Sequence, residues 1–282
     1  MRAQALRDAH GLRLRARRDV SALLAGAYRS AFRGRGLVFE ELCEYQPGDD
    51  ASIIEWKATA RLGRPIAKRM REERDLLVAL LVDASDSLDH GYGGETKRAA
   101  VRRAAAAIAC AAVRSQDRVA LATFSDPLHD TLRPAGGAVQ LERVFACLAA
   151  ETRGTRSDAR PALAWAIDTL PRHALVILLS DLFLPDPDPL LARCARKHDL
   201  LVLRAVDRAD DPPRRTAPVR VSPSESGRRA VWRPRRASPA VRAALSESDL
   251  RRRGADYAEI GTGERLVPGL QRVFEQRAAG AA

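Results

Sequence analysis

The chain has 282 residues, 46% of them hydrophobic and only 5% aromatic. That suits one large α/β domain, alone or with a smaller appendage, and a core of Leu, Val, Ile and Ala. The formal net charge of +12 would permit nucleic acid or acidic partners, but the arginines are spread along the whole chain without interleaved aromatics. The charge therefore reads as solvated surface, and no specific nucleic acid is expected.

Taken in chain order, residues 3–26 carry Leu6, Leu12, Leu14, Val20, Leu23 and Leu24 among arginines, an amphipathic helix interrupted near Gly11. The charged N-terminus is not followed by an apolar run, so no leader peptide is expected. No window approaches a membrane-crossing length, and the protein is expected to be cytoplasmic. Arg33–Gly36 is a basic loop and Leu37–Tyr45 reads as extended. Pro47–Asp50 is a turn able to cap a short helix containing Ile53, Ile54 and Trp56, with Trp56 as a core anchor. Pro65–Met70 reads as a strand leading to an acidic turn at Glu72–Asp75.

From there strands and helices alternate. Leu76–Asp83 is an apolar run suited to a strand buried on both faces. Lys97–Arg114 is an Ala-dense helix, Arg118–Phe124 a strand, and Leu128–Arg133 a hairpin arm or edge strand. Helices follow at Val139–Ala149 and Asp158–Leu170, then a second buried strand at Ala174–Ser180, ending in Asp181. Pro189–Lys197 is a helix and Asp199–Val206 a strand. Residues 209–239 form a Pro/Arg/Ser-rich insertion with a small hairpin at Val219–Val221 and Ala230–Trp232. A helix (Pro239–Arg253), a strand (Ala255–Ile260) and a helix (Arg265–Gln276) close the chain. This alternation implies a mostly parallel central sheet flanked by helices. The expected division is an N-terminal segment, 1–74, packing on a main domain over 75–278. Cys43, Cys110, Cys147 and Cys194 have no ligand spacing and read as free core thiols.

Two of the buried strands end in carboxylates. Asp83 is followed by Ser85 and Ser87 at alternate positions, and Asp181 ends the second strand. Between them, Gly154–Asp158 precedes a helix and offers a hydroxyl from Thr155 or Ser157. Such strand ends are where open α/β sheets place ligands. Asp83, Ser85, Ser87, Asp181 and that hydroxyl are hard oxygen donors suited to Mg²⁺ or Mn²⁺. Two carboxylates and three neutral hydroxyls leave the ion able to take a further anionic ligand. Read singly, each residue has a plainer role: Asp83 and Asp181 can cap turns, and Asp158 can stabilise a helix start. Asp86 and Asp89 read as solvated.

The D-x-S-x-S pattern after a buried strand, a later Thr or Ser, and a later strand-end Asp resemble the metal-ion-dependent adhesion site of von Willebrand factor type A domains. Upstream, Gly36–Asp50, then Ile54-Glu55-Trp56-Lys57, Ala60-Arg61 and Glu72–Arg74 resemble the bacterial family catalogued as domain of unknown function fifty-eight. The resemblance implies a type A-like, Rossmann-like α/β domain after this segment, and association with MoxR-type AAA+ ATPases. It assigns Asp83, Ser85 and Ser87 to the first metal loop and Asp181 to the third. For the second loop, counting back from Ala162-Leu163 selects Ser157 and counting forward from Gly154 selects Thr155; Ser157 is favoured. Cys43 and Glu55 depart from the family's usual Arg and Asp without removing a ligand.

The expected function is a non-enzymatic, metal-dependent interaction module, partner or adaptor of such an ATPase or its client, which supplies the carboxylate that completes the site. A metal-dependent phosphoester-processing enzyme is the alternative. A haloacid dehalogenase-type phosphotransferase would need Asp where Ser85 stands, and no Walker, G-x-S-x-G or H-E-x-x-H pattern is present. A basic nucleic-acid binder using the Arg-rich 212–236 stretch is a further alternative.

Overall fold

The computed structural model describes residues 11–12, 28, 37–46, 51–72, 76–89, 91, 94–150, 154, 156–207, 210, 219–221, 230–232, 245–263 and 266–280. Most of the helix expected over 3–26 and all of the loop Arg33–Gly36 lie outside them; Gly11 and Leu12 are helical. Tyr28 is buried. Its hydroxyl donates to Asp117 Oδ2 at 2.8 Å, and its ring meets Phe274 edge-on at 6.0 Å.

Strands β1 (Leu37–Glu44) and β2 (Ile66–Glu72) pair antiparallel as a separate two-stranded sheet. The strand expected at Pro65–Met70 thus runs into the acidic turn as far as Glu72. The short helix expected around Ile53, Ile54 and Trp56 is split. Ala51–Ile53 is a 3-10 turn, Ile54 bridges to Ala67, and α1 (Trp56–Leu62) begins at Trp56. Glu55 caps α1 by accepting from Lys57 N, and Gly63 closes it at φ 69°, in the left-handed region that suits glycine. Trp56 is 69% exposed, which corrects its reading as a core anchor. No residue of α1 is buried, the indole included.

The main sheet has six strands in the order β10-β7-β6-β3-β4-β5. These are β3 (Leu77–Asp83), β4 (Arg118–Phe124), β5 (Leu128–Ala135), β6 (Leu175–Ser180), β7 (Asp199–Val206) and β10 (Asp256–Gly261). All pairings are parallel except that of the edge strand β5 with β4. Every residue of β3 and β6 is buried, because both faces of the sheet are covered. On one face Val78, Leu80 and Val82 pack with α2 (Lys97–Arg114), α3 (Gly137–Ala149) and α7 (Leu266–Gly280). On the other, Leu77, Ala79 and Leu81 pack with α4 (Arg160–Thr169) and α5 (Leu190–Lys197). The alternation of side chains along a strand divides the core this way. Ala104–Ala107 of α2 are fully buried, and their small side chains let that helix lie close against the strands. The result is the mixed α/β architecture expected, in three layers.

Within this sheet, β3, β4, β5, β6, β7 and β10 are strands one to six, so the spatial order is 3-2-1-4-5-6. The order reverses between β3 and β6, and a doubly wound sheet opens its ligand crevice at the carboxyl ends of those two strands.

The expected hairpin is present as β8 (Val219–Val221) and β9 (Ala230–Trp232). Apart from these and Asp210, the insertion 209–239 lies outside the described residues. The helix expected over Pro239–Arg253 is α6 (Glu247–Arg252), opened by a capping box in which Ser246 and Asp249 satisfy each other's backbone; residues 239–244 lie outside the described residues. None of the four cysteines is in a disulfide. Cys110 and Cys194 are buried, as expected of core thiols, whereas Cys43 and Cys147 are only half-buried.

Candidate metal centre at the sheet's switch point

Asp83 is the last residue of β3, and Asp181 follows the last residue of β6. Adjacent parallel strands thus bring to one place two carboxylates that lie far apart in the chain, joined by a crossover.

 
The pair is brought together by strand order, not by nearness in the chain.

The first loop is shaped by its own polar groups. Ala84 N donates to Phe124 O at 2.6 Å, and Ser85 N donates to Asp83 Oδ1 at 2.8 Å, turning the chain out of the strand. Asp86–Asp89 then forms a 3-10 turn anchored by the fully buried Leu88. Arg98 clamps this loop from α2: Nη1 donates to Ala84 O at 3.1 Å and Nη2 to Ser85 O at 2.9 Å, while Nε pairs with Asp89. Asp89 is therefore an ion-pair partner of Arg98 and not a solvated carboxylate, and Asp86 is half-buried.

The second loop docks onto the first. Gly154 bridges to Ser85, and Asp86 N donates to Gly154 O at 2.9 Å. A Cβ on Gly154 would lie 1.9 Å from Ser125 Oγ, so the approach requires glycine. Ser125 is itself held by His129 Nε2 at 2.8 Å, and its carbonyl accepts from Asp158 N at 2.9 Å. This delivers Ser157, buried, with its hydroxyl donating to Asp83 Oδ2 at 2.7 Å. Thr155 lies outside the described residues. Asp158 accepts from Arg160 N at 2.9 Å at the start of α4, the helix-stabilising role expected of it, and the Arg160 side chain helps hold its carboxyl below the usual range against the opposing effect of burial.

The third loop turns sharply at Leu182, whose φ is 62°. Asp181 Oδ1 accepts from Phe183 N at 3.2 Å and from Ser87 Oγ at 3.2 Å, and Ser85 Oγ and Ser87 Oγ are 3.0 Å apart. Burial pushes the Asp181 carboxyl up, and the Asp83 charge adds to this; Lys97 and the donors from Phe183 and Ser87 oppose it.

Asp83, Ser85, Ser87, Ser157 and Asp181 are thus gathered in one hydrogen-bonded cluster, and all are buried. Each serine hydroxyl keeps lone pairs beyond the proton it donates, so the cluster can hold a hard cation. Octahedral Mg²⁺ with arms of about 2.1 Å sets neighbouring oxygens about 3.0 Å apart, close to the Ser85–Ser87 and Ser87–Asp181 separations. Among the described residues no group of three or more His, Cys, Asp or Glu is placed to hold a metal; this cluster is instead two carboxylates completed by hydroxyls.

Four participants escape a reading of sequence alone. Ser180 Oγ donates to Asp83 Oδ2 at 2.7 Å and accepts from Leu182 N at 3.0 Å; its place just before a strand-end Asp was the available signal. Lys97 Nζ lies 3.5 Å from Asp181 Oδ2 and 2.6 Å from Asp210 Oδ1, over the Phe183 ring at 4.9 Å. Lys97 and Arg98 together signal themselves as two cations opening a helix, where its dipole disfavours positive charge. Asp210 gave no signal, because it sits in the Pro/Arg-rich insertion.

The model of the family described as "Protein of unknown function DUF58" matches residues 41–255. The chain belongs to the DUF58 family. It is 32% identical over 209 residues to the uncharacterized proteins Rv1480 of Mycobacterium tuberculosis and Mb1516 of Mycobacterium bovis, covering 71% of this chain and 64% of each relative. This DUF58 chain therefore spans somewhat less than two thirds of the length of those relatives. Among solved structures, it is similar to the conserved hypothetical protein BatB from Bacteroides thetaiotaomicron (TM-score 0.49, 11% identity, 72% of this chain and 99% of that one). It is also similar to the SpRpn10 VWA domain (TM-score 0.40, 13% identity, 69% and 93%). The type A-like α/β fold of this DUF58 protein itself rests on its strand order, its antiparallel edge strand and its covered faces.

Proposed function

We propose that this DUF58 protein is a non-enzymatic interaction module that holds Mg²⁺ or Mn²⁺ at the ends of β3 and β6 and presents it to a carboxylate of a protein partner. The observation that carries this reading is the convergence of Asp83, Ser85, Ser87, Ser157 and Asp181, with oxygen separations of 3.0 and 3.2 Å. Thr155 stays a candidate for the second loop beside Ser157. Two carboxylates and three hydroxyls supply five of the six positions of an octahedral divalent cation, leaving one for a ligand from outside. Binding is favoured over catalysis because the two carboxylates are buried and engaged by serine hydroxyls and backbone N–H groups, leaving neither poised as a general base. The partner we favour, from the family resemblance, is a MoxR-type AAA+ ATPase or a client it remodels. The four cysteines, none in a disulfide, are in keeping with a reducing, cytoplasmic setting.

The test is the binding of a purified MoxR-type ATPase from the same organism to the immobilised chain, with Mg²⁺ or with chelator. Binding should need Mg²⁺ and fall at least tenfold in a folded Asp83→Ala variant. Binding indifferent to both chelator and substitution would contradict the metal-bridged reading.

A further inference from the structure

Helix α2 opens on two cations, Lys97 and Arg98, which are 3% and 6% exposed. The helix dipole disfavours positive charge at this end, and a buried ammonium is costly unless it is paired. Arg98 is accounted for by the first-loop carbonyls and Asp89. Lys97 serves no helix cap, since Thr96 fills that role by accepting from Ala99 N. Its ammonium is held between Asp181 Oδ2 and Asp210 Oδ1.

The two oxygens of Asp181 are divided. Oδ1 faces Ser87 and the hydroxyl cluster, while Oδ2 faces Lys97. Asp210 is fixed on the far side of the ammonium, with Oδ2 accepting from Asp207 N at 2.9 Å. We infer that Lys97 is a specificity-determining residue of the cage, an internal cation that neutralises Asp181 and against which any external cation competes. This rests on the metal reading above. A divalent ion at the hydroxyl side of Asp181 repels the ammonium towards Asp210, the partner to which it already lies nearer. Lys97 thereby offsets one of the two negative charges of the cage. The bound ion keeps more of its own charge for an outside carboxylate, and its retention comes to depend on that carboxylate.

The experiment is an Mn²⁺ titration of the whole chain, followed by calorimetry and by the paramagnetic resonance of free Mn²⁺, with circular dichroism to establish folding. Lys97→Met and Lys97→Gln should each bind Mn²⁺ at least tenfold more tightly than the unsubstituted protein. Asp210→Asn, which leaves the ammonium to Asp181 alone, should bind more weakly. If the unsubstituted protein binds and the folded Lys97 variants bind no more tightly, the inference is overturned while the metal reading stands. If neither Lys97 variant folds, Asp210→Asn decides, and unchanged binding overturns the inference. If no form binds Mn²⁺, the metal reading fails and the inference falls with it.

Discussion

Single residues account for how the second loop reaches the carboxylates. Gly154 lies so close to Ser125, in the turn after β4, that any side chain must displace Ser125. Gly154→Ala should therefore destabilise the protein by about 1–3 kcal/mol, the usual cost of overpacking a tight site. Urea denaturation checks this, and a midpoint equal to that of the unsubstituted protein would contradict it. The first loop was legible in sequence because its geometry is local: Asp83, Ser85 and Ser87 are spaced by two and bonded to one another or to adjacent backbone. Ser157 was legible only as one of two alternatives, since the pairing of Gly154 with Ser85 that brings it to Asp83 is a tertiary contact. Ser180, Lys97 and Asp210 depend on strand order and on an insertion, neither of which leaves a local pattern.

Secondary elements were easiest to read where burial on both faces makes a continuous apolar run. β3 and β6 are such runs, and helices α2 and α5 fell within a residue of expectation. The N-terminal ribbon was harder, because its pattern is only partly apolar and its burial uneven: Ile66 and Ala67 are buried, whereas Leu42 is exposed. Trp56 shows the consequence: an aromatic in a mostly apolar stretch reads as core, yet α1 buries none of its residues. Trp56→Ala should change stability by no more than about 0.5 kcal/mol, whereas Leu80→Ala, in the centre of β3, should cost about 2–5 kcal/mol. Chemical denaturation of both variants measures the contrast. A loss at Trp56 comparable to that at Leu80 would mean that the indole is covered in solution.

At the scale of the whole molecule, the doubly wound order places the ends of β3 and β6 side by side, and α2, α4 and the loops before them close around that point. Alternating strands and helices made the sheet predictable; the crossover that reverses its order is what turns two distant strand-end carboxylates into one cluster. This cluster is expected to bind a divalent cation. The direct measurement is a calorimetric titration of the chelator-treated chain with Mn²⁺, alongside folded Asp83→Ala. One equivalent should bind to the unsubstituted protein and at least tenfold more weakly to the variant. Failure of the unsubstituted protein to bind, or equal binding by Asp83→Ala, would contradict that expectation.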